Sequence, residues 1–532
     1  MKRIAIELLI ILLFICSTAF SQVLVPDFSV NIPASNLNGL GRTAIAAGSD
    51  GSMAIAWLDY NPYDDQFAQL PRIAVQRFNV AAQRVGQTHF FSGENAWIQD
   101  YMIGNPDIAM VPGNTALIAM EHYGDDTFGF SSEVGIGGVD ANGNLLDLNN
   151  TIGVVYWLIN VENEREENPR IAVAPSGSFA VSLNGRTFDT GFSAVAVQLF
   201  DAAGNTVGNF FNPHFTDPGP NANHVYSDLA LADNLALIVW EDGRQDNNYD
   251  ISGQFYNSVG AVGSNFKINT GDAAGTLNLR PAVGMTPTGN SVVVWADART
   301  GSPEIFGQLY NSSAQPVGSN FQISQSSGII WDRPEIAVRT DGSFMVVWTD
   351  SLPGVSGVDA FRARGRQFAT NGTPLGDVFV IPDVQNTGSG YVNIATNGST
   401  YFISWLDNRL NSTYLNAYAK AIGNISTGIG MPDSDGFPAA FALSQNYPNP
   451  FNPQTTIRFA LPEAADVSLV VFDLTGKKVQ TILQKSLPAG VFEQSFVAEN
   501  LPSGMYFYQL TANPNSVSGK PFSEIRKMIL IK

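Results

Sequence analysis

The chain has 532 residues, 44% of them hydrophobic and only 14% charged, which excludes a disordered protein and leaves room for two or three domains or one large repeat fold. Its formal charge of −19 argues against nucleic acid or an anionic membrane surface as a partner, since both are polyanions. Fifty Gly and many Val, Ile, Phe, Tyr and Trp clusters between Asn- and Asp-rich turns predict numerous short strands.

The first 21 residues read as a signal peptide. Lys2 and Arg3 form its positive end, Ile4 to Cys16 is apolar apart from Glu7, and the small residues around Ser17–Ser21 offer a cleavage site after Ser21. The apolar run is short for a membrane span, and no later run suggests a transmembrane helix in the mature chain. Cys16, the single cysteine, lies inside this segment, so the mature chain has neither disulfide nor thiolate chemistry.

From residue 24 to 424 the sequence repeats itself. Val292-Val293-Val294-Trp295-Ala296-Asp297-Ala298-Arg299 is the clearest copy, and Trp57, Trp240, Trp348 and Trp405 head others, with Met120 and Leu183 in the same place in two degraded copies. Each unit divides into four strand-like pieces, as in Arg280–Met285, Ser291–Trp295, Ile305–Tyr310 and Asn320–Ile323. The second piece is apolar at consecutive positions, the pattern of a strand covered on both faces. Seven units of this kind predict an all-β, seven-bladed β-propeller with four-stranded blades. The seventh unit lacks a fourth strand, while Phe28–Ile32 resembles the fourth-strand pieces Phe266–Asn269 and Phe321–Ser324 and has no partners of its own. The N-terminal strand is therefore expected to close the last blade beside Tyr414–Ala421, hiding two sheet edges.

Catalytic patterns are missing. There is no Gly-x-Ser-x-Gly elbow, and His89, His122, His214 and His224 lack metal-ligand spacing. The recurring Trp-x-Asp-x-Arg element, with Asp242 and Arg244, Asp297 and Arg299, and Asp407 and Arg409, recurs too often to be an active site and reads as structural pairing. Loops joining second and third strands are acidic, which makes Asp64, Asp65, Asp125, Asp126, Asp246 and Asp250 candidate ligand-binding residues, with Tyr60, Tyr63, Tyr123 and Tyr249 nearby. Asp246, Asn248 and Asp250 have the alternate spacing of a calcium loop, but Ile251 and Asn257 replace the Gly and Glu that an EF-hand requires; only a looser Ca2+ site stays open.

A polar, Gly-rich linker occupies residues 425–437. It precedes Phe441-Ala442-Leu443-Ser444-Gln445-Asn446-Tyr447-Pro448-Asn449-Pro450-Phe451-Asn452-Pro453, and further on come Thr475-Gly476-Lys477-Lys478-Val479, Leu501-Pro502-Ser503-Gly504-Met505-Tyr506 and the terminal Lys527-Met528-Ile529-Leu530-Ile531-Lys532. Residues 438–532 resemble the type A sorting domain of the type IX (Por) secretion system, with Phe496 where many members have Trp. Read alone, the segment is a small β-sandwich. The resemblance implies an immunoglobulin-like fold that docks on the outer-membrane export machinery, with Gly504, Tyr506 and the residues from Lys527 to Lys532 as its sorting signal. It places the protein outside a Gram-negative cell, secreted or on the surface, via the periplasm. Residues 438–532 hold eight Lys/Arg and six Asp/Glu, and the rest of the chain holds 20 and 41, so the acidity belongs to the repeats. Two functions fit: a non-enzymatic binding or adhesion module for a glycan or protein, or a carbohydrate-active propeller enzyme, glycosidase or lyase.

Overall fold

The computed structural model describes residues 21–31, 40–60, 71–91, 102–126, 129–146, 156–157, 164–187, 193–213, 223–245, 248–273, 275–324, 330, 332–352, 355, 360–384, 388–409, 415–425, 441–443, 446, 451–488, 490–498, 501–514 and 521–531. They form an all-β protein; among them no helix is long and apolar enough to cross a membrane. The chain divides into a unit at Val23–Asn424 and a second that contains Ile425–Lys532.

In the first unit the described residues make five four-stranded antiparallel sheets and one eight-stranded sheet. The eight-stranded sheet is two meanders joined where Arg165 pairs in parallel with Ser132. The first strands of successive repeats are Leu40–Ala47, Met102–Val111, Glu164–Val173, His224–Ala232, Asn278–Met285, Glu335–Val338 and Ser389–Thr396. Each lies against the first strand of the next repeat, and Ser389–Thr396 returns to lie against Leu40–Ala47.

Hydrophobic burial between adjacent sheets holds this series together. In the fifth repeat the second strand, Ser291–Asp297, is buried at every position. Val293 and Trp295 pack into a cluster with Leu237, Val239 and Phe255 of the fourth repeat, while Val292, Val294 and Ala296 face Ile336, Phe344 and Trp348 of the sixth. Serving two cores is why these strands carry consecutive apolar residues. Trp240, Trp295, Trp348 and Trp405 are fully buried, and Met120 and Leu183 are buried in the copies without Trp. Fourth strands such as Pro316–Gln322 are largely exposed.

The strand Ser21–Ser29 forms the outer edge of the last sheet, beside Asn416–Ile425. It begins earlier in the chain than Phe28, and its end carries the bonds that the sequence likeness points to. Val30 N donates to Ala417 O at 2.8 Å, and Ala417 N donates to Asn31 Oδ1 at 2.9 Å. The same pair of bonds ties Ile268 and Asn269 to Ile251, and Ile323 and Ser324 to Ile305. Ile32 and Tyr414 lie outside the described residues. A buried charge cluster locks this strand. Lys420 Nζ donates to Ile381 O at 2.5 Å and sits 2.9 Å from Asp383 and 3.1 Å from Asp27, while Arg409 reaches Asp27 at 3.0 Å. Burial pushes the Asp27 carboxyl above its usual range, and Lys420 works against that shift.

In the C-terminal unit, a three-stranded sheet (Ala442–Leu443, Gln454–Leu461, Gly490–Val497) and a four-stranded one (Lys478–Leu487, Ala465–Phe472, Gly504–Pro514, Phe522–Leu530) enclose a single core. Phe496 is buried in it, 1% exposed, so the smaller ring still fills that site. Gly504 opens the strand before the last, and Tyr506 Oη donates to Pro502 O at 2.8 Å. Met528 and Leu530 point into the core. Phe451 N donates to Ile529 O at 2.9 Å and Ile531 N to Phe451 O at 3.0 Å, which fixes the terminal strand. Lys532 lies outside the described residues.

Candidate functional site

Each repeat in the unit at Val23–Asn424 carries one short segment in or at the start of its first strand: Arg42-Thr43-Ala44-Ile45-Ala46, Asn105-Pro106-Asp107-Ile108-Ala109, Asn168-Pro169-Arg170-Ile171-Ala172, Tyr226-Ser227-Asp228-Leu229-Ala230, Arg280-Pro281-Ala282-Val283-Gly284, Arg333-Pro334-Glu335-Ile336-Ala337 and Tyr391-Val392-Asn393-Ile394-Ala395. The Ile-Ala end packs on the neighbouring sheets. In six of the seven the opening residue is skipped in the strand ladder, and Arg333 stands two residues before Glu335–Val338. Strand register shifts between Gly41 and Thr43, Gly104 and Asp107, Glu167 and Arg170, Val225 and Asp228, Leu279 and Ala282, and Gly390 and Asn393. These are β-bulges, which turn a side chain out of the sheet. Five of the bulged residues are left-handed: Asn105 (φ 43°), Asn168 (54°), Tyr226 (51°), Arg280 (57°) and Tyr391 (53°).

The preceding repeat supports the bulges. The residue after the Trp position of its second strand reaches across to the freed amide. Glu241 Oε1 accepts from Arg280 N at 2.6 Å, Thr349 Oγ1 from Tyr391 N at 3.1 Å, and Glu121 from both Asn168 N and Asn105 Nδ2. Two residues beyond the bulge, Asp107 Oδ2 accepts from Ile171 N at 2.9 Å and Asp228 Oδ2 from Val283 N at 2.8 Å. The carboxylates therefore tie one first strand to the next.

All seven opening residues line one pocket, which encloses about 740 Å³ including its open mouth. Its deep end is a charge cluster drawn from non-adjacent repeats. Arg170 lies 2.8 Å from Glu335 and 3.6 Å from Asp107; Arg333 lies 2.9 Å from Asp228 and 3.8 Å from Glu335. The side chains of Arg170 and Arg333 are only 11% and 7% exposed. Arg42, Tyr226 and Tyr391 are 41–43% exposed and form the outer part, with Arg42 held 3.1 Å from Asp332. Burial raises the Asp107 carboxyl to about 6 against the pull of Arg170, and raises Glu241 to about 7 despite the bond from Arg280 N.

Of the acids singled out by sequence, Asp125, Asp126 and Asp250 are among the described residues. Asp64, Asp65, Tyr63 and Asp246 lie outside the described residues. Asp125 and Asp126 close the second hairpin of their repeat, opposite Phe130 and Gly129. Asp250 is occupied: Lys267 Nζ is 2.8 Å away and Asn269 Nδ2 donates to it at 2.9 Å. Asn248 pairs with Gln245 in the strand ladder, and among the described residues no group of three or more His, Cys, Asp and Glu is placed to hold a metal ion. The Trp-x-Asp-x-Arg element closes on itself, with Trp295 Nε1 donating to Asp297 Oδ2 at 3.0 Å and Arg299 Nη2 at 2.5 Å from the same oxygen. Trp405, Asp407 and Arg409 repeat that arrangement. His89 Nε2 lies 2.6 Å from Gly143 O, and His224 lies buried beside Asp242.

The pocket sits at the end of the sheets where the second-to-third-strand loops begin, because Val225 pairs with Glu241 and His224 with Asp242. The residues that converge there are the ones the loop argument passed over. Their signal is legible once the seven segments are aligned: a freely varying residue stands three places before a constant apolar-Ala or apolar-Gly pair.

Among solved structures, the chain is similar to a protein of unknown function from Dyadobacter fermentans (8% identity, TM-score 0.43, covering 76% of this chain and 99% of that one). It is also similar to the α-L-arabinofuranosidase of Fusarium graminearum with arabinobiose (12%, 0.42, 60% and 93%) and to an ulvan lyase of a new polysaccharide lyase family (11%, 0.43, 73% and 94%). At such identities and scores these likenesses assign neither fold nor activity to the chain. No curated protein matches it by sequence. Residues 445–522 match the family model described as the secretion system C-terminal sorting domain. The chain thus carries a type IX secretion sorting domain, and it is exported through the periplasm to the surface or surroundings of a Gram-negative cell.

Proposed function

We propose that the chain is an exported, non-enzymatic binding protein: a seven-bladed β-propeller at 24–424 that receives a saccharide in its central pocket. A cleaved signal peptide at 1–21 starts its export, and an immunoglobulin-like sorting domain at 438–532, reached through a linker at 425–437, completes it. The observation that carries this reading is the convergence of seven equivalent residues, one from each repeat, on one pocket. Varied groups on a repeated frame can be exchanged without disturbing blade packing, which suits recognition. Exposed Tyr226 and Tyr391 offer faces for a sugar ring, and Asn105 and Asn168 offer amide groups for hydroxyls.

A carbohydrate-active enzyme is the second reading, favoured by the raised carboxyls of Asp107 and Glu241, which a general acid would need. Both, however, accept backbone amide protons and face the frame. The acid-rich loops around Asp64, Asp65, Asp125, Asp126, Asp246 and Asp250 would frame the ligand's outer part, with or without Ca2+.

The test is a glycan array probed with the mature full-length chain, with and without calcium, beside Tyr226→Ala/Tyr391→Ala and Asp64→Asn/Asp65→Asn. The expected result is saccharide capture that the tyrosine variant loses and the loop variant weakens. Capture indifferent to both tyrosines refutes the pocket, and shortened or unsaturated oligosaccharide products establish an enzyme.

A further inference from the structure

We propose that the ligand is an acidic saccharide, bearing a uronate carboxylate or a sulfate ester, whose anion is bound by Arg42 and Arg280; this rests on the reading of the central pocket as the ligand site. The order of the repeats divides the seven opening residues into two arcs. Consecutive repeats contribute Arg280, Arg333, Tyr391 and Arg42 on one side, and Asn105, Asn168 and Tyr226 on the other. The opening residues of the first arc are thus three arginines and a tyrosine, with Asp332 and Glu335 beside them, and those of the second are neutral, with Arg170 behind them.

The acids here pair with arginines, Arg42 with Asp332, Arg170 with Glu335 and Arg333 with Asp228, and they also serve backbone amides. Asp332 accepts from Arg42 and from Arg333 N, Glu335 faces Arg170, and Glu241 serves the amide of Arg280. Arg42 is 43% exposed while Asp332 beside it is 16% exposed, so an incoming group meets cation before carboxylate. Residues 23–424 hold 18 Lys/Arg against 38 Asp/Glu, and four of those 18 line this single pocket. A neutral sugar would gain hydrogen bonds from these guanidinium groups but no charge pairing. An acidic one, repelled by the rest of the unit, needs it. The planar fork of arginine matches carboxylate and sulfate oxygens in pairs, and the two exposed tyrosines accept the ring that carries them.

The test measures binding of three probes to the mature full-length chain by titration calorimetry: an oligogalacturonate, its methyl ester, and a sulfated galactan oligosaccharide. Arg280→Asn keeps a residue suited to φ 57°, and Arg42→Gln keeps the side-chain length; thermal melting confirms that each variant folds. At least one anionic probe should bind, weaken with added salt, lose tenfold or more in affinity with either variant, and outcompete the ester. Tight binding of the oligogalacturonate alone identifies a carboxylate, and of the galactan a sulfate. Binding of neutral sugars that Tyr226→Ala abolishes but Arg280→Asn does not would overturn the acidic ligand and keep the pocket. Failure of both anionic probes at millimolar concentration overturns the proposal outright.

Discussion

Within each sheet of the repeat unit, the first and second strands lie side by side and follow opposite rules. Ser291–Asp297 is buried throughout and regular, whereas its neighbour Asn278–Met285 carries a bulge, a left-handed arginine and partly exposed side chains. The second strand is flanked by sheets on both faces, so its residues are dictated by packing and recur. The first strand borders the pocket, and its bulge frees one side chain per repeat from that dictation. Repetition marks what holds the frame together; the interruption of repetition marks what the frame is for.

The widest test of this contrast removes a strand that does neither job alone. Deleting residues 22–31 takes away the edge of the last sheet and leaves Lys420 and Asp383 buried without Asp27. Removing one partner from a buried ionic cluster costs roughly 3–5 kcal/mol, before the lost strand bonds are counted. The expected outcome is loss of the cooperative melting transition of the repeats near room temperature. Unchanged calorimetric melting would mean that the series does not depend on closure.

Next in size is a packing residue of a second strand. Trp295→Ala should destabilise by about 3–5 kcal/mol, because it empties a fully buried site between two sheets. Ligand affinity should stay unchanged in the fraction that remains folded. Chemical denaturation with a binding assay checks both. Affinity lost in step with stability would blur the division between the two strands.

Much of this architecture is legible in sequence, for physical reasons that also mark the limit. A strand buried on both faces must be apolar at consecutive positions, so Val292–Trp295 announces itself, and the likeness of Val30-Asn31 to Ile268-Asn269 reports a shared bonding pattern. The sorting domain is legible because its motifs run end to end. The pocket is not, because it assembles one residue from each of seven distant segments, and nothing in Arg42 or Tyr391 alone signals that their backbones bulge. Asp250 illustrates the converse. It belongs to an acid-rich stretch and lies in the strand Asn248–Asn257, and no local pattern reveals that Lys267 and Asn269 occupy it.

Glu241 joins the two kinds of strand, since it follows Trp240 yet serves the amide of Arg280. Its carboxyl is raised from 4.5 to about 7, chiefly by burial. The folded form therefore holds a proton that the unfolded chain releases near pH 4.5, and the stability linked to this group falls as pH rises from about 4.5 to 7. The full effect is on the order of 3 kcal/mol. Glu241→Gln keeps an acceptor for Arg280 N and removes the titration. Relative to the natural chain, its melting temperature should climb steadily between pH 4.5 and 7 and level off above. A pH-independent offset would show that folding leaves the titration of Glu241 unshifted.

The smallest effect separates the strands most sharply. Tyr226 holds φ 51° with its side chain 41% exposed at the pocket, a conformation that Asn tolerates and a bulky residue does not. The equivalent positions in the second and third repeats are already Asn105 and Asn168, with φ 43° and 54°. Tyr226→Asn should relieve strain and raise stability by about 1 kcal/mol, the low end of the cost of such outliers. It should also weaken saccharide binding, since the aromatic face is gone. A packing residue gives the opposite pair of results when truncated, with stability lost and affinity kept. Loss of stability on Tyr226→Asn would place Tyr226 among the packing residues and remove the backbone argument for the pocket. A gain in stability joined to a loss of binding is the combination that only a side chain held for recognition, at the expense of its own backbone, produces.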